Sequence, residues 1–346
     1  MLSRRPRLNA LIVCTCLAFA ASGLHAGIVA TDGNVSGLSV GNGGTEADPA
    51  IYVIGDTGPY HISTPNYYFN VGTASSYNHL IVRNGSSVTK EALSIGIVEG
   101  ANHNYVHITG GSQLSLDTHL WVGRQGSYNT MRISGPGTTV SLGGYLTVGT
   151  ASPSSHNTLI IEDGAFFESG HGTPTAYTVI GAGASSNNAV IVTGAGTHWA
   201  HRSSLDISVG NYQRNNTLTI LDHALVSIDK GLYFMHDPGN GIFLDGGFLA
   251  IKGDVRDFII DHTMALVGAF HYWDPNSKTW VVGGTNDFLH GYFADEADAF
   301  AFSGYEGLAG YTIITSLSTI PEPSTYAALA GAAVLGLVAF RRYRRH

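Results

Sequence analysis

Apolar and polar positions alternate, two residues apart, in a series of short segments: Leu80/Val82, Val106/Ile108, Met131/Ile133, Leu159/Ile161, Val190/Val192 and Leu218/Ile220. A period of two is that of a strand with one buried face. Each pair follows an asparagine: Asn78, Asn104, Asn129, Asn157, Asn188 and Asn216, spaced 26, 25, 28, 31 and 28 residues apart. A second motif lies between them: "LSIG" at Leu93, "LWVG" at Leu120, "LTVG" at Leu146, "TVIG" at Thr178 and "ISVG" at Ile207. "LSVG" at Leu38 belongs to the same series, and "IFLDGGFLAI" from Ile242 reads as a last, degenerate turn.

Each period holds about three short strands. One such unit cannot bury its apolar face alone, whereas stacking units at about 4.8 Å buries all of them in one column. The pattern predicts an all-β fold, a right-handed parallel β-helix over residues 27–255, its repeats running from about Asn34 to Val255. The six asparagines read as a structural ladder, each amide hydrogen-bonding the next at a corner; the other reading is a solvated turn residue. A β-propeller fits less well, since its blades need four strands and about 40 residues. Residues 256–320 differ. They are aromatic and acidic, with a hairpin in "HYWDPNSKTWVV" turning at Asp274-Pro275-Asn276-Ser277 and a final strand in "YTIITSL". They read as a C-terminal β cap over the open end of the column.

The two ends of the chain are of another kind. Arg4, Arg5 and Arg7 precede an apolar run at 11–20, and small residues follow up to Ala26. Residues 1–26 read as a signal peptide. Arg4-Arg5 resembles a twin-arginine signal, but Pro6 and Arg7 depart from it and general secretion fits better. Both cysteines, Cys14 and Cys16, fall in this segment, so the body has neither a disulfide nor a thiolate metal site. At the other end, residues 326–340 carry no charge. As a helix they rise about 22 Å, short of a ~30 Å hydrocarbon core. Ser324, Thr325 and the stems of Arg341 and Arg342 extend the span to a single C-terminal transmembrane helix. Arg341, Arg342, Arg344 and Arg345 form a cytoplasmic stop.

Pro321-Glu322-Pro323, then Ser324-Thr325, an apolar run and a terminal arginine cluster resemble the PEP-CTERM sorting signal of Gram-negative bacteria, over residues 321–346. The resemblance implies recognition of Pro321, Glu322 and Pro323 by an exosortase, a membrane-embedded cysteine protease-transpeptidase. It also implies delivery of the body to the cell exterior, in company with exopolysaccharide production. Two prolines keep the segment extended, as a protease cleft requires. The repeats resemble the β-helical passenger repeats of autotransporters. The C-terminal membrane barrel that those proteins carry has no counterpart here: fewer than 100 residues follow the repeats, and they end in an apolar run.

Of the 17 basic residues, three lie in the head and four in the tail; of the 25 acidic residues only Glu322 does. The body therefore carries 10 basic against 24 acidic groups, a net −14 with histidine neutral. Such a surface repels phosphate backbones, which disfavours nucleic acid as a partner.

Candidate chemistry is sparse. Gly37-Leu38-Ser39-Val40-Gly41 matches the serine-hydrolase elbow, but lies in a repeat series whose other members carry Trp121, Thr147 or Val179 at the serine position. Gly170-His171-Gly172 resembles a stretch of polygalacturonase-like β-helices, without their paired aspartates or basic clamp. His103 and His107, four apart on a strand or turn, stand about 13 Å apart, too far to share a metal. His198 and His201 flank a turn and read as solvated. Asp295, Glu296 and Asp298 read as a solvated acidic surface rather than a calcium loop. Arg83, His107, Arg132, Ile160, Ile191 and Thr219 are taken as one outward row, in which no catalytic set converges. The expectation is an exported, non-enzymatic surface or matrix protein with no cofactor and no metal, processed by an exosortase, transiently held in the inner membrane and associated with exopolysaccharide. The rival is a polysaccharide lyase or glycoside hydrolase on the same β-helix. An adhesin would share fold and address.

Overall fold

The computed structural model describes residues 29–30, 39–41, 43–172, 176–209, 214–230, 232–234, 239–256 and 270–317. Three columns of parallel strands wind through about seven turns of a β-solenoid. The first column is Ala50–Ile54, Asn78–Val82, Tyr105–Thr109, Thr130–Ser134, Thr158–Glu162, Ala189–Thr193, Thr217–Leu221 and Gly241–Asp245. The second and third start as continuous bent strands, His61–Val71, Ser87–Ile95 and Gln113–Val122. From the next turn on they separate, as Thr139–Leu142 and Tyr145–Val148, then Phe166–Ser169 and Tyr177–Ala182. Gly143 and Gly144 make that break. A Cβ on Gly144 would lie 1.9 Å from the Thr118 carbonyl oxygen, so only glycine lets the corner close this tightly.

Register explains the core. Leu80, Val106, Met131, Leu159, Val190, Leu218 and Ile242 are partners in sequence, as are Val82, Ile108, Ile133, Ile161, Val192, Ile220 and Leu244. All are buried, and with the inward rows of the other columns they form one continuous cluster. At about 1.5–3 kcal/mol for each fully buried aliphatic side chain, this column is the main source of stability.

The parallel stacking ends in antiparallel partners. Phe248–Lys252 pairs with Tyr311–Ser316, which pairs with Phe288–Phe293; Phe270–Asp274 forms a hairpin with Thr279–Val282. Between them stands a helix, Glu296–Ser303, where the sequence reading placed only a solvated acidic surface. Its signals are local: the Asp295 carboxylate accepts from the Asp298 N–H, and Gly304 closes the other end in the left-handed region. Ala299 and Leu308 pack with Leu225, Phe248 and Ala250, so this segment lies against the outside of the second column. The Tyr305 hydroxyl reaches the carbonyl oxygens of His223 at 2.7 Å and Thr197 at 3.1 Å, and Tyr311 donates to Asp229. Burial pushes Tyr305 up to about 12.

Candidate functional site

The six asparagines form a buried column of amides. From Asn104 on, each side-chain oxygen accepts from both the backbone N–H and the side-chain Nδ2 of the asparagine one turn earlier. From Asn78 to Asn216 these ten bonds measure 2.8–3.1 Å. All six residues are at most 1% exposed. The column continues further than the six: Asn216 N–H donates to Asn240 Oδ1 at 2.8 Å, and at the other end Gly43 N–H donates to Asn78 Oδ1. Asn240 directly precedes "GIFLD", so the last repeat is legible once its start is moved from Ile242 to Asn240.

The glycine motif and the asparagine motif are two halves of one joint. Gly72, Gly96, Gly123, Gly149 and Gly181 end the third-column strands with positive φ. A Cβ on any of them would lie within 2.1–2.4 Å of Asn104, Asn129, Asn157, Asn188 or Asn216, the ladder residue one turn on. A serine completes two of these joints. Ser154 Oγ donates to the Gly123 carbonyl and accepts from Asn157 Nδ2; Ser185 does the same for Gly149 and Asn188.

The residue before each ladder asparagine is left-handed: Tyr77, His103, Tyr128, His156, Asn187 and Asn215, with φ between 54° and 60°. That turn aims their side chains outward in a second ladder. The first four rings stack at 5.0, 5.0 and 4.7 Å between centroids, and Asn215 Nδ2 donates to Asn187.

Several expected positions move. Arg83 does not share a row with His107 and Arg132: Ile81 is the partner of His107, because Arg83 stands five residues after its asparagine and the other two stand three after theirs. Arg83 pairs with Asp56, and Arg132 with Glu162. His198 and His201 do not flank a turn. They begin and end the strand His198–His201. His201 is 1% exposed, 2.8 Å from Ser169 Oγ and 3.3 Å from Thr178 Oγ1. His198 bonds Ser227 Oγ, and burial, aided by Arg202, brings it down to about 4. The tryptophan between them, Trp199, is an inward core residue and fixes the strand's phase.

Ser169 and His201 thus have the spacing of a nucleophile and its base, but both are sealed inside the column, where no substrate reaches them. Lys90 is a second polar group at an inward position. It is fully buried, its Nζ donates to Thr64 Oγ1 at 2.6 Å and lies over the Phe69 ring, and burial lowers its pKa. On the outside, Asp222 and Asp245 bring two carboxylates together on adjacent turns. Burial, with the Asp222 charge beside it, holds Asp245 above the usual carboxylate range. Sequence spacing did not bring this pair together, because Asp222 stands one residue past the strand that pairs with Gly241–Asp245.

The remaining candidates are ordinary parts of the coil. Ser39–Val40 is a strand paired with Asn70 and Val71. His171 Nδ1 lies 3.8 Å from Glu168 at the end of a second-column strand. His103 belongs to the outer ring stack, and His107 bonds Ser134 Oγ. Among the described residues no group of three or more histidine, cysteine, aspartate or glutamate side chains could hold a metal.

The head at 1–26, the sorting residues Pro321, Glu322 and Pro323, the apolar run and Arg341, Arg342, Arg344 and Arg345 lie outside the described residues. Among those described, no helix is long and apolar enough to cross a membrane. The family model of the PEP-CTERM protein-sorting motif matches residues 319–345. Among curated proteins and solved structures nothing matches the chain. The chain therefore carries a PEP-CTERM sorting motif after a body of β-helical repeats. The motif implies sorting by an exosortase, export, and a surface or extracellular destination.

Proposed function

We propose that this is a non-enzymatic, exosortase-sorted protein of the cell surface or extracellular matrix, associated with exopolysaccharide. The observation that carries the reading is the sorting motif at 319–345. In this reading the signal peptide starts export, and residues 326–340 hold the chain in the inner membrane as a helix. Arg341, Arg342, Arg344 and Arg345 stay cytoplasmic until the exosortase acts at Pro321-Glu322-Pro323. The coil is right-handed, the sense that right-twisted parallel strands favour in their crossovers. Residues 256–320 serve as its cap, which the antiparallel strands and the helix at their centre support. Ser169 and His201, which have the spacing of a nucleophile and its base, are sealed in the core and offer no catalytic site there. The test is fractionation of a host that carries a matching exosortase. Wild-type protein should reach the surface or medium, and the double change Pro321→Ala, Pro323→Ala should leave full-length chain in the inner membrane. Equal export of both would sink the sorting role.

One observation favours the rival reading of a polysaccharide-cleaving enzyme. Asp222 and Asp245 are neighbouring carboxylates, with Asp245 held above its usual range, and glycoside hydrolysis needs such a pair. Incubation of the exported protein with the host's exopolysaccharide decides this. No release of reducing ends is expected; release abolished by Asp245→Asn would establish the enzyme.

A further inference from the structure

The outward face of the third column carries a line of rings. Tyr68, Ala92, His119 and Tyr145 are partners on four successive rungs, and Tyr177 follows on the fifth. The neighbouring second column shows uncharged polar side chains on its early outward positions instead, Ser87, Gln113 and Thr139 in one row and Thr89, Ser115 and Ser141 in the other. The middle of the line is already packed. His119 stacks on Trp121 at 4.4 Å and on Tyr145 at 5.1 Å, and Arg124 covers Trp121 at 4.9 Å. Its two ends are open: Tyr68 is 43% exposed and Tyr177 is 44% exposed, the latter tilted 59° from Tyr145. Under the rings, His119 Nδ1 and Ser94 Oγ are buried and make no hydrogen bond among the described residues.

We propose that this face binds a neutral polysaccharide laid along the solenoid axis, with Tyr68 and Tyr177 as the stacking surfaces at either end. The proposal rests on the reading of an exported, exopolysaccharide-associated protein and names its contact residues. Rungs about 4.8 Å apart match the length of one sugar unit in an extended glycan, so successive rungs meet successive residues. Tyrosine rings offer a flat apolar face to sugar C–H groups and a hydroxyl at the rim, a combination that an apolar peptide would leave unpaired. Neutrality follows from charge. The body is net −14, which repels anionic polymers. Burial and Arg124 also hold His119 below the usual imidazole range, against the opposing Glu91, so the imidazole adds no positive charge to draw an anionic chain.

Affinity electrophoresis of the full-length chain in a zwitterionic, sugar-free detergent tests this. The gels carry hydroxyethylcellulose, soluble starch or polygalacturonate. Wild type should be slowed by at least one of the two neutral polymers and not by polygalacturonate. Tyr177→Ala should weaken that binding about tenfold, the loss of one ring contact worth about 1.4 kcal/mol. Tyr177→Phe should keep it, and so should Tyr128→Ala, which removes an equally exposed ring from the other ladder. Unchanged circular dichroism of Tyr177→Ala separates lost contact from lost fold; if that variant unfolds, Tyr68→Ala takes its place. No retardation by either neutral polymer, retardation by polygalacturonate alone, or equal retardation of the alanine variant and wild type would overturn the proposal. Export of Tyr177→Ala should match wild type, so a failure here is distinct from a failure of sorting.

Discussion

Gly123 lies against the side chain of Asn157, one turn away: a Cβ built on the glycine would meet Asn157 Cγ at 2.1 Å. Ser154 joins the two, donating to the Gly123 carbonyl at 2.5 Å and accepting from Asn157 Nδ2 at 3.0 Å. The close approach brings the amide near enough to the backbone for its oxygen to collect both donors of Asn129. The solenoid is thus pinned at one corner by a polar column, while the inward apolar rows of its three columns supply the burial.

Gly123→Ala should therefore cost more than an ordinary left-handed glycine does. Gly111 has φ +73° with open space around a Cβ, so Gly111→Ala should cost only the backbone term, about 1–2 kcal/mol. Gly123, at φ +75°, adds the overlap with Asn157, and about 3 kcal/mol or more is expected. Urea unfolding of the two variants gives the difference; equal midpoints would contradict the joint.

Asn157→Ala should be as severe. It strands the Asn129 N–H and Nδ2 in a buried site and removes one of the two donors to Asn188 Oδ1. At about 1–3 kcal/mol for each unsatisfied buried group, a loss of about 3 kcal/mol is expected. A loss below about 1 kcal/mol would mean that water enters the corner and the asparagines act as solvated turn residues.

Much of this architecture was legible because stacking repeats a local rule in every turn. An asparagine two residues before an alternating pair, and a glycine after a short apolar strand, each recur often enough to be seen. What the period did not reveal is that the two motifs touch, since they meet across turns of unequal length. The outer ladder was also readable: Tyr77, His103, Tyr128 and His156 each directly precede a ladder asparagine. Its signal is positional rather than apolar, so periodicity passes over it. His198 and His201 were misplaced for the opposite reason. Histidine carries no inward or outward preference, and it is the partner row Lys90, Leu116, Leu142, Ser169, His201, Ile228 and Ile251, with inward Trp199 two residues earlier, that shows His201 pointing in.

The same register separates Arg132 from Ile133. Arg132 faces outward but pairs with the half-buried Glu162, so Arg132→Leu should cost about 1 kcal/mol rather than nothing. Ile133 is fully buried in the first column, and Ile133→Asp should cost several kcal/mol by placing a carboxylate there. Equal unfolding midpoints for the two variants would show that the faces are reversed.

Acid should weaken the fold through His198. Its folded pKa of about 4 lies below the ordinary 6.5, chiefly through burial, with Arg202 lowering it further and Asp229 opposing. Between those values the unfolded chain binds a proton that the folded chain does not, so stability falls as pH drops through that window. His198→Gln should flatten the dependence of the urea midpoint between pH 7 and pH 4.5. Parallel curves for variant and wild type would remove His198 from the account.

In the proposed function the chain is an exosortase substrate whose repeats are delivered outside the cell. Intact-mass spectrometry of the exported protein, from a host with a matching exosortase, decides whether it is. The mature chain should lack residues 326–346, with a new C-terminus close to Pro321-Glu322-Pro323. An exported protein that still ends in His346 would contradict processing and leave the tail as a permanent part of the molecule.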